Sequence, residues 1–89
     1  MRLPASERTI LELLSRSGEG YGLELVEHSR GTLTRGGIYV TLGRMEAKGL
    51  VSSRSGDGGR RIYRPTGLGE RALLAARIFS GQVKLQAKA

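Results

Sequence analysis

The sequence predicts a mostly α-helical fold with one small β-hairpin: a three-helix core, a two-stranded ribbon and a C-terminal helix. Three observations predict it. Apolar residues recur at helical spacing in four separate segments. Between the third and fourth of these, Gly56-Asp57-Gly58-Gly59 parts two short stretches that suit strands, and Asp-Gly is a strong hairpin signal. The 89 residues contain no cysteine, so the core must hold without disulfides or thiolate metal sites.

The first helix is expected from Ser6 to Arg16, with Ile10, Leu11, Leu13 and Leu14 on a buried face and Ser6 or Pro4 as its start signal. Ser17-Gly18-Glu19-Gly20 breaks it. A second helix is expected from Tyr21 to Ser29, with Leu23, Leu25 and Val26 apolar. Gly22 in its first turn costs about 1 kcal/mol against alanine, which close helix–helix approach would offset. Arg30-Gly31-Thr32-Leu33 connects to a third helix over Gly36–Lys48, N-capped by Thr34.

On that third helix Ile38, Leu42 and Met45 lie within about 40° of one line at ~100° per residue. Tyr39, Val40, Gly43, Arg44 and Ala47 occupy the other side. Lys48-Gly49 ends it with a cation and a glycine. Leu50–Ser55 and Arg60–Arg64 are the two strands, the second alternating weakly, with Tyr63 packing under the ribbon. Thr66 is the candidate N-cap of the last helix. There Leu68, Ala72, Ala75 and Phe79 form a 4-3-4 stripe that, with its apolar neighbours, exceeds what one small domain can cover. That surplus points to self-association. Gly81 ends the helix, and Gln82–Ala89 is a short tail.

The net charge of +7 is uneven. Residues 1–30 carry four Arg against five acids, residues 31–64 seven Lys/Arg against two, and residues 65–89 four against one. Positive charge gathered beside an ordered motif is the footprint of a polyanion binder. No apolar run approaches the ~20 residues of a membrane span, and no secretory leader is evident, so a cytoplasmic protein without membrane partners is expected. His28 is the one histidine, and no other residues complete a metal site. No nucleophile–base–acid set and no phosphate-loop pattern appears, so the chain is read as neither an enzyme nor a cofactor protein.

Helix, helix, helix, two-stranded wing, helix is the order of a winged helix-turn-helix. Within that class the chain resembles the PadR family of bacterial transcriptional regulators. The likeness is carried by Ile10-Leu11-Glu12-Leu13-Leu14, Gly20-Tyr21-Gly22-Leu23-Glu24-Leu25, the run from Gly36 to Val51, and Arg60-Arg61-Ile62-Tyr63-Arg64-Pro65-Thr66-Gly67-Leu68-Gly69. Together they span about residues 8–72. The resemblance implies a homodimeric repressor on a two-fold operator, with the third helix in the major groove, the wing along the backbone, and the C-terminal helix making the dimer. Residues 1–66 would then bind DNA, and residues 67–89 would supply the dimerisation helix and tail. Gly43 departs from the pattern, standing where the family commonly has a basic residue; Val40 and Pro65 are also unusual choices.

The expected DNA-binding residues follow from this placement. Tyr39 is a base-edge or phosphate contact, or alternatively a packed surface tyrosine. Arg35 and Arg44 flank the same face within reach of guanine or phosphate. Gly36 and Gly37 either let a phosphate approach backbone N–H groups or allow packing against the second helix. Arg60, Arg61 and Arg64 on the wing contact phosphate or the minor groove, or protect a strand edge. Thr34, Val40 and Lys48 complete the set, while Tyr21-Gly22 is read as structural. Leu68, Ala72, Ala75 and Phe79 are the expected dimer contacts. The expected partners are double-stranded DNA with an inverted repeat and a second copy of the chain. With no Trp and few aromatic residues, no small-molecule effector is expected. Two competing readings are a non-specific nucleic-acid accessory protein of phage or plasmid type, and a winged helix used for protein interaction.

Overall fold

The computed structural model of the protein describes residues 3–81. Four helices surround a small antiparallel sheet. In chain order they are α1 (Ala5–Ser17), β1 (Gly20–Tyr21), α2 (Gly22–His28), α3 (Ile38–Ala47), β2 (Val51–Ser55), β3 (Arg61–Pro65) and α4 (Gly67–Phe79). Ile10, Leu11 and Leu14 of α1 pack with Leu25, Leu33, Ile38, Leu42, Met45, Leu50, Val51, Tyr63 and Leu73 in one core. Every one of the four helices contributes to it. Among the described residues no helix is long and apolar enough to cross a membrane.

α1 stops at Gly18, whose backbone φ of 86° is costly for any other residue and whose N–H returns to the Leu14 carbonyl at 2.7 Å. Past Glu19, Gly20 and Tyr21 form a strand that the sequence did not announce. Gly20 pairs with Tyr63 and Tyr21 with Ile62, so the sheet has three strands in the order β1-β3-β2. Two residues are too few for any periodicity. As the middle strand, β3 buries both Ile62 and Tyr63, which accounts for its weak alternation. Burial raises the pKa of the Tyr63 phenol, and the nearby Glu46 carboxylate raises it further.

α2 begins where the Tyr21 N–H donates to the Glu24 carboxylate at 2.9 Å. Beyond its end, the Ser29 hydroxyl donates to the Val26 carbonyl and accepts from the Leu33 N–H, at 2.8 and 3.0 Å. This fixes the turn through Arg30 and Gly31, both at positive φ.

α3 starts at Ile38, two residues later than expected, because Gly36 and Gly37 are poor helix formers. Thr34 nevertheless caps the turn leading in. Its hydroxyl accepts from the Gly37 N–H at 3.1 Å and its carbonyl from the Ile38 N–H at 3.0 Å. At the far end Gly49 has φ 79°, with Leu50 N–H donating to the Met45 carbonyl and Gly49 N–H to that of Glu46. That is a Schellman ending, and it turns the chain directly into the wing.

Thr66 caps α4 by accepting from the Gly69 N–H at 3.0 Å, while its own hydroxyl donates to the Gly49 carbonyl at 2.5 Å. The cap therefore joins α4 to the end of α3. α4 lies on α1 through Leu73 and an ion pair between Arg77 and Glu12. Gly81, at φ 81°, follows the end of α4 as expected. The tail expected over 82–89 lies outside the described residues.

Candidate nucleic-acid interface

α3 is amphipathic in the sense the site requires. Ile38, Leu42 and Met45 are buried, while Tyr39, Val40, Gly43, Arg44 and Ala47 are exposed. The side chains of Arg35 in the preceding turn, Arg44 on α3 and Arg64 on β3 make no hydrogen bond or ion pair among the described residues. Three guanidinium groups are thus left to solvent on the elements that a winged helix would bring to DNA.

Except for Val40 and Gly36, the other expected contacts are engaged inside the domain. The Tyr39 ring is 52% exposed but leans on Gly22: a Cβ there would sit 2.7 Å from its Cε1. The close approach expected at Gly22 is therefore made by a side chain of α3. Neither Gly36 nor Gly37 packs on α2. Open space surrounds Gly36, and the only atom near a Cβ at Gly37 is the Thr34 hydroxyl oxygen. The Gly37 N–H is already taken by Thr34. Lys48 donates to both oxygens of the Glu7 carboxylate, at 3.0 and 2.8 Å, although Glu7 itself is wholly buried. Its ammonium thus compensates a core charge.

On the wing, the Arg61 Nε donates to the Ser53 hydroxyl at 3.0 Å, and that hydroxyl donates to Glu46 of α3 at 2.7 Å. This chain of bonds ties the wing to α3. Arg60 lies over the Tyr21 ring, 4.1 Å from its centroid, a cation–π contact. The Tyr21 hydroxyl in turn accepts from the Asp57 N–H at 3.0 Å, and its ring fills the space beside Gly56. A further ion pair joins Arg54 to Glu19 at 2.9 Å.

Tyr21, Ser53 and Glu46 are thus the residues that set the wing, and sequence reasoning gave none of them this role. Their only sequence signal was negative: they broke no pattern. On α4, Leu68, Ala75 and Phe79 are exposed, Phe79 to 89%, and Ala72 is half-buried. His28 is exposed, with Nδ1 2.9 Å from the Glu24 carbonyl. The described residues hold no metal-ligating cluster.

The model of the transcriptional regulator PadR-like family matches residues 10–75. The chain belongs to that family. Its fold recurs in a probable transcriptional regulator from Pseudomonas aeruginosa, with TM-score 0.78 at 18% identity over 90% of this chain and 60% of the other. Bacillus subtilis PadR in complex with operator DNA superposes at TM-score 0.74 and 19% identity, over 99% of this chain and 52% of that one. RosR of H. salinarum matches at 27% identity and TM-score 0.74, over 96% and 81%. This PadR-like chain therefore spans 60% of the first and about half of the second. Comparison with the curated proteins gave no match. Membership bears out the winged-helix reading and the reading as a non-enzymatic regulator. The wing is a three-stranded sheet rather than the expected two-stranded one.

Proposed function

We propose that this chain is a dimeric, sequence-specific DNA-binding repressor that works in the cytoplasm without cofactor or effector. In this reading α3 enters the major groove, which admits one helix, and presents Tyr39, Val40 and Arg44 to base edges. Thr34, Arg35, Gly36 and Gly37 meet the phosphates at its start, and Arg64 with Arg60 and Arg61 follows the backbone along the wing. Lys48 supports this surface by neutralising Glu7. Residues 67–89 join two copies through Leu68, Ala72, Ala75 and Phe79, so that the operator is an inverted repeat.

The observation that supports this most strongly is the lock between α3 and the wing through Glu46, Ser53 and Arg61. It makes one rigid unit of helix and ribbon. The unengaged Arg35, Arg44 and Arg64 are carried on that unit. The operator complex of Bacillus subtilis PadR, which shares the fold, is consistent with it.

The test is binding of duplexes by alanine variants across a salt series. Tyr39→Ala or Arg44→Ala should weaken binding to the operator, and unchanged affinity in both removes α3 from the interface. Arg60→Ala with Arg61→Ala, or Arg64→Ala alone, should weaken binding to every duplex and flatten the salt dependence. That slope is about 0.9 log unit per log salt for each phosphate neutralised. One feature favours a second reading as a non-specific accessory protein: Gly43 places no side chain in the middle of the exposed face of α3. Equal affinity for scrambled duplexes would support that reading.

A further inference from the structure

The line of α3 farthest from the core is apolar. At ~100° per residue, Val40 and Ala47 fall about 10° from the line opposite Ile38, Leu42 and Met45. Gly43 and Arg44 lie about 50° to either side, and Tyr39 about 90° away. Val40 is 63% exposed, and beyond the adjoining residues and the helix's own backbone no heavy atom lies within 4 Å of where a Gly43 Cβ would stand. A helix laid into a groove on this face meets the bases first with a valine, an alanine and bare backbone. None of these carries a side-chain donor or acceptor.

Single exposed apolar residues are ordinary on protein surfaces. Here the position distinguishes the strip, because the major-groove floor offers one apolar group to complement it. That group is the thymine 5-methyl. We propose that α3 selects its site by thymine methyl contact: Val40 packs on the methyl, Ala47 extends the apolar strip, and Gly43 lets the backbone come close. Hydrogen bonding from Arg44 and Tyr39 is then confined to the flanks. The proposal rests on the placement of α3 in the major groove given above and names the base chemistry that this placement reads.

The experiment takes the duplex that the protein enriches from a random pool and replaces each thymine, in both half-sites at once, by deoxyuridine. Pairing and groove hydrogen-bonding groups are kept; only the methyl is lost. Affinity is measured for the wild type and for Val40→Ala, whose exposed position leaves the fold intact, as circular dichroism checks. At one thymine position the wild type should lose about fourfold per half-site, the scale of burying one methyl group, and so roughly 15-fold in the dimer. Val40→Ala should bind the unmodified duplex more weakly and lose its sensitivity at that position. Two results overturn the proposal while leaving DNA recognition by α3 intact: an enriched duplex on which every deoxyuridine substitution changes affinity less than twofold, or sensitivity that is undiminished in Val40→Ala. A pool with no enriched sequence overturns the groove-reading role of α3 itself, and the methyl contact with it.

Discussion

The Tyr39 ring stands over Gly22 so closely that a methyl group on Gly22 would lie 2.7 Å from Cε1 and 3.0 Å from Cζ. The one aromatic side chain of α3 is therefore aimed by a missing side chain on α2. Gly22→Ala gains helix propensity of about 1 kcal/mol but must turn the ring away. Stability should change by less than about 1 kcal/mol while DNA affinity falls. Tyr39→Ala should lose a similar amount, and the double variant little more, since the two changes act on one contact. A Gly22→Ala protein that binds like the wild type contradicts this aiming role.

Tyr21 holds the wing turn by two separable contacts. Tyr21→Phe keeps the ring beneath Arg60 and removes the acceptor for the Asp57 N–H, and should cost about 1 kcal/mol. Tyr21→Leu removes both. Amide hydrogen exchange through Gly56–Arg60 should then quicken in the order wild type, Phe, Leu. Identical rates in the three proteins would show that the turn holds itself.

Gly69 is fixed by a backbone atom. An added Cβ would fall 2.1 Å from the Leu50 carbonyl oxygen and 3.1 Å from Leu11 Cδ2. Neither the α3–β2 turn nor α4 can yield without losing the Thr66 cap. Gly69→Ala should destabilise by about 1–3 kcal/mol, the range for an overpacked core. In a domain this small that lowers the thermal midpoint by roughly 5–20 °C. An unshifted midpoint contradicts the close approach.

Glu7 and Lys48 form a pair whose acid is buried and whose base is partly exposed. Lys48→Met strands the carboxylate and should cost about 1–3 kcal/mol, below the 3–5 kcal/mol of fully buried pairs because solvent reaches the lysine. Adding Glu7→Leu should restore much of the loss in chemical denaturation. If the double variant is no more stable than Lys48→Met, the stranded charge is not the cause.

The fold was legible where it rests on local rules. The spacing of Ile10, Leu11 and Leu14, the line of Ile38, Leu42 and Met45, and the cap at Thr66 all read directly from neighbours in the chain, whereas Thr34 caps the turn before α3 and Gly37 is the N-cap of the helix itself. β1 was not legible, since Gly20 and Tyr21 become a strand only by pairing with β3, more than forty residues later. The burial of Glu7 left no mark in the sequence, because its partner Lys48 is 41 positions away. Which cations of the site are engaged was hidden too, since it depends on tertiary packing. Lys48, Arg60 and Arg61 read like Arg35, Arg44 and Arg64 in sequence, yet the side chains of the first three have partners inside the domain and those of the last three have none among the described residues.

The proposed dimer, reading a two-fold DNA site with α3, is put to the test by selecting duplexes from a random pool at near-physiological salt and sequencing those bound. An enriched inverted repeat with half-sites about one helical turn apart is the expected outcome. Recovery of DNA with no shared motif would rule out a two-fold reading by α3.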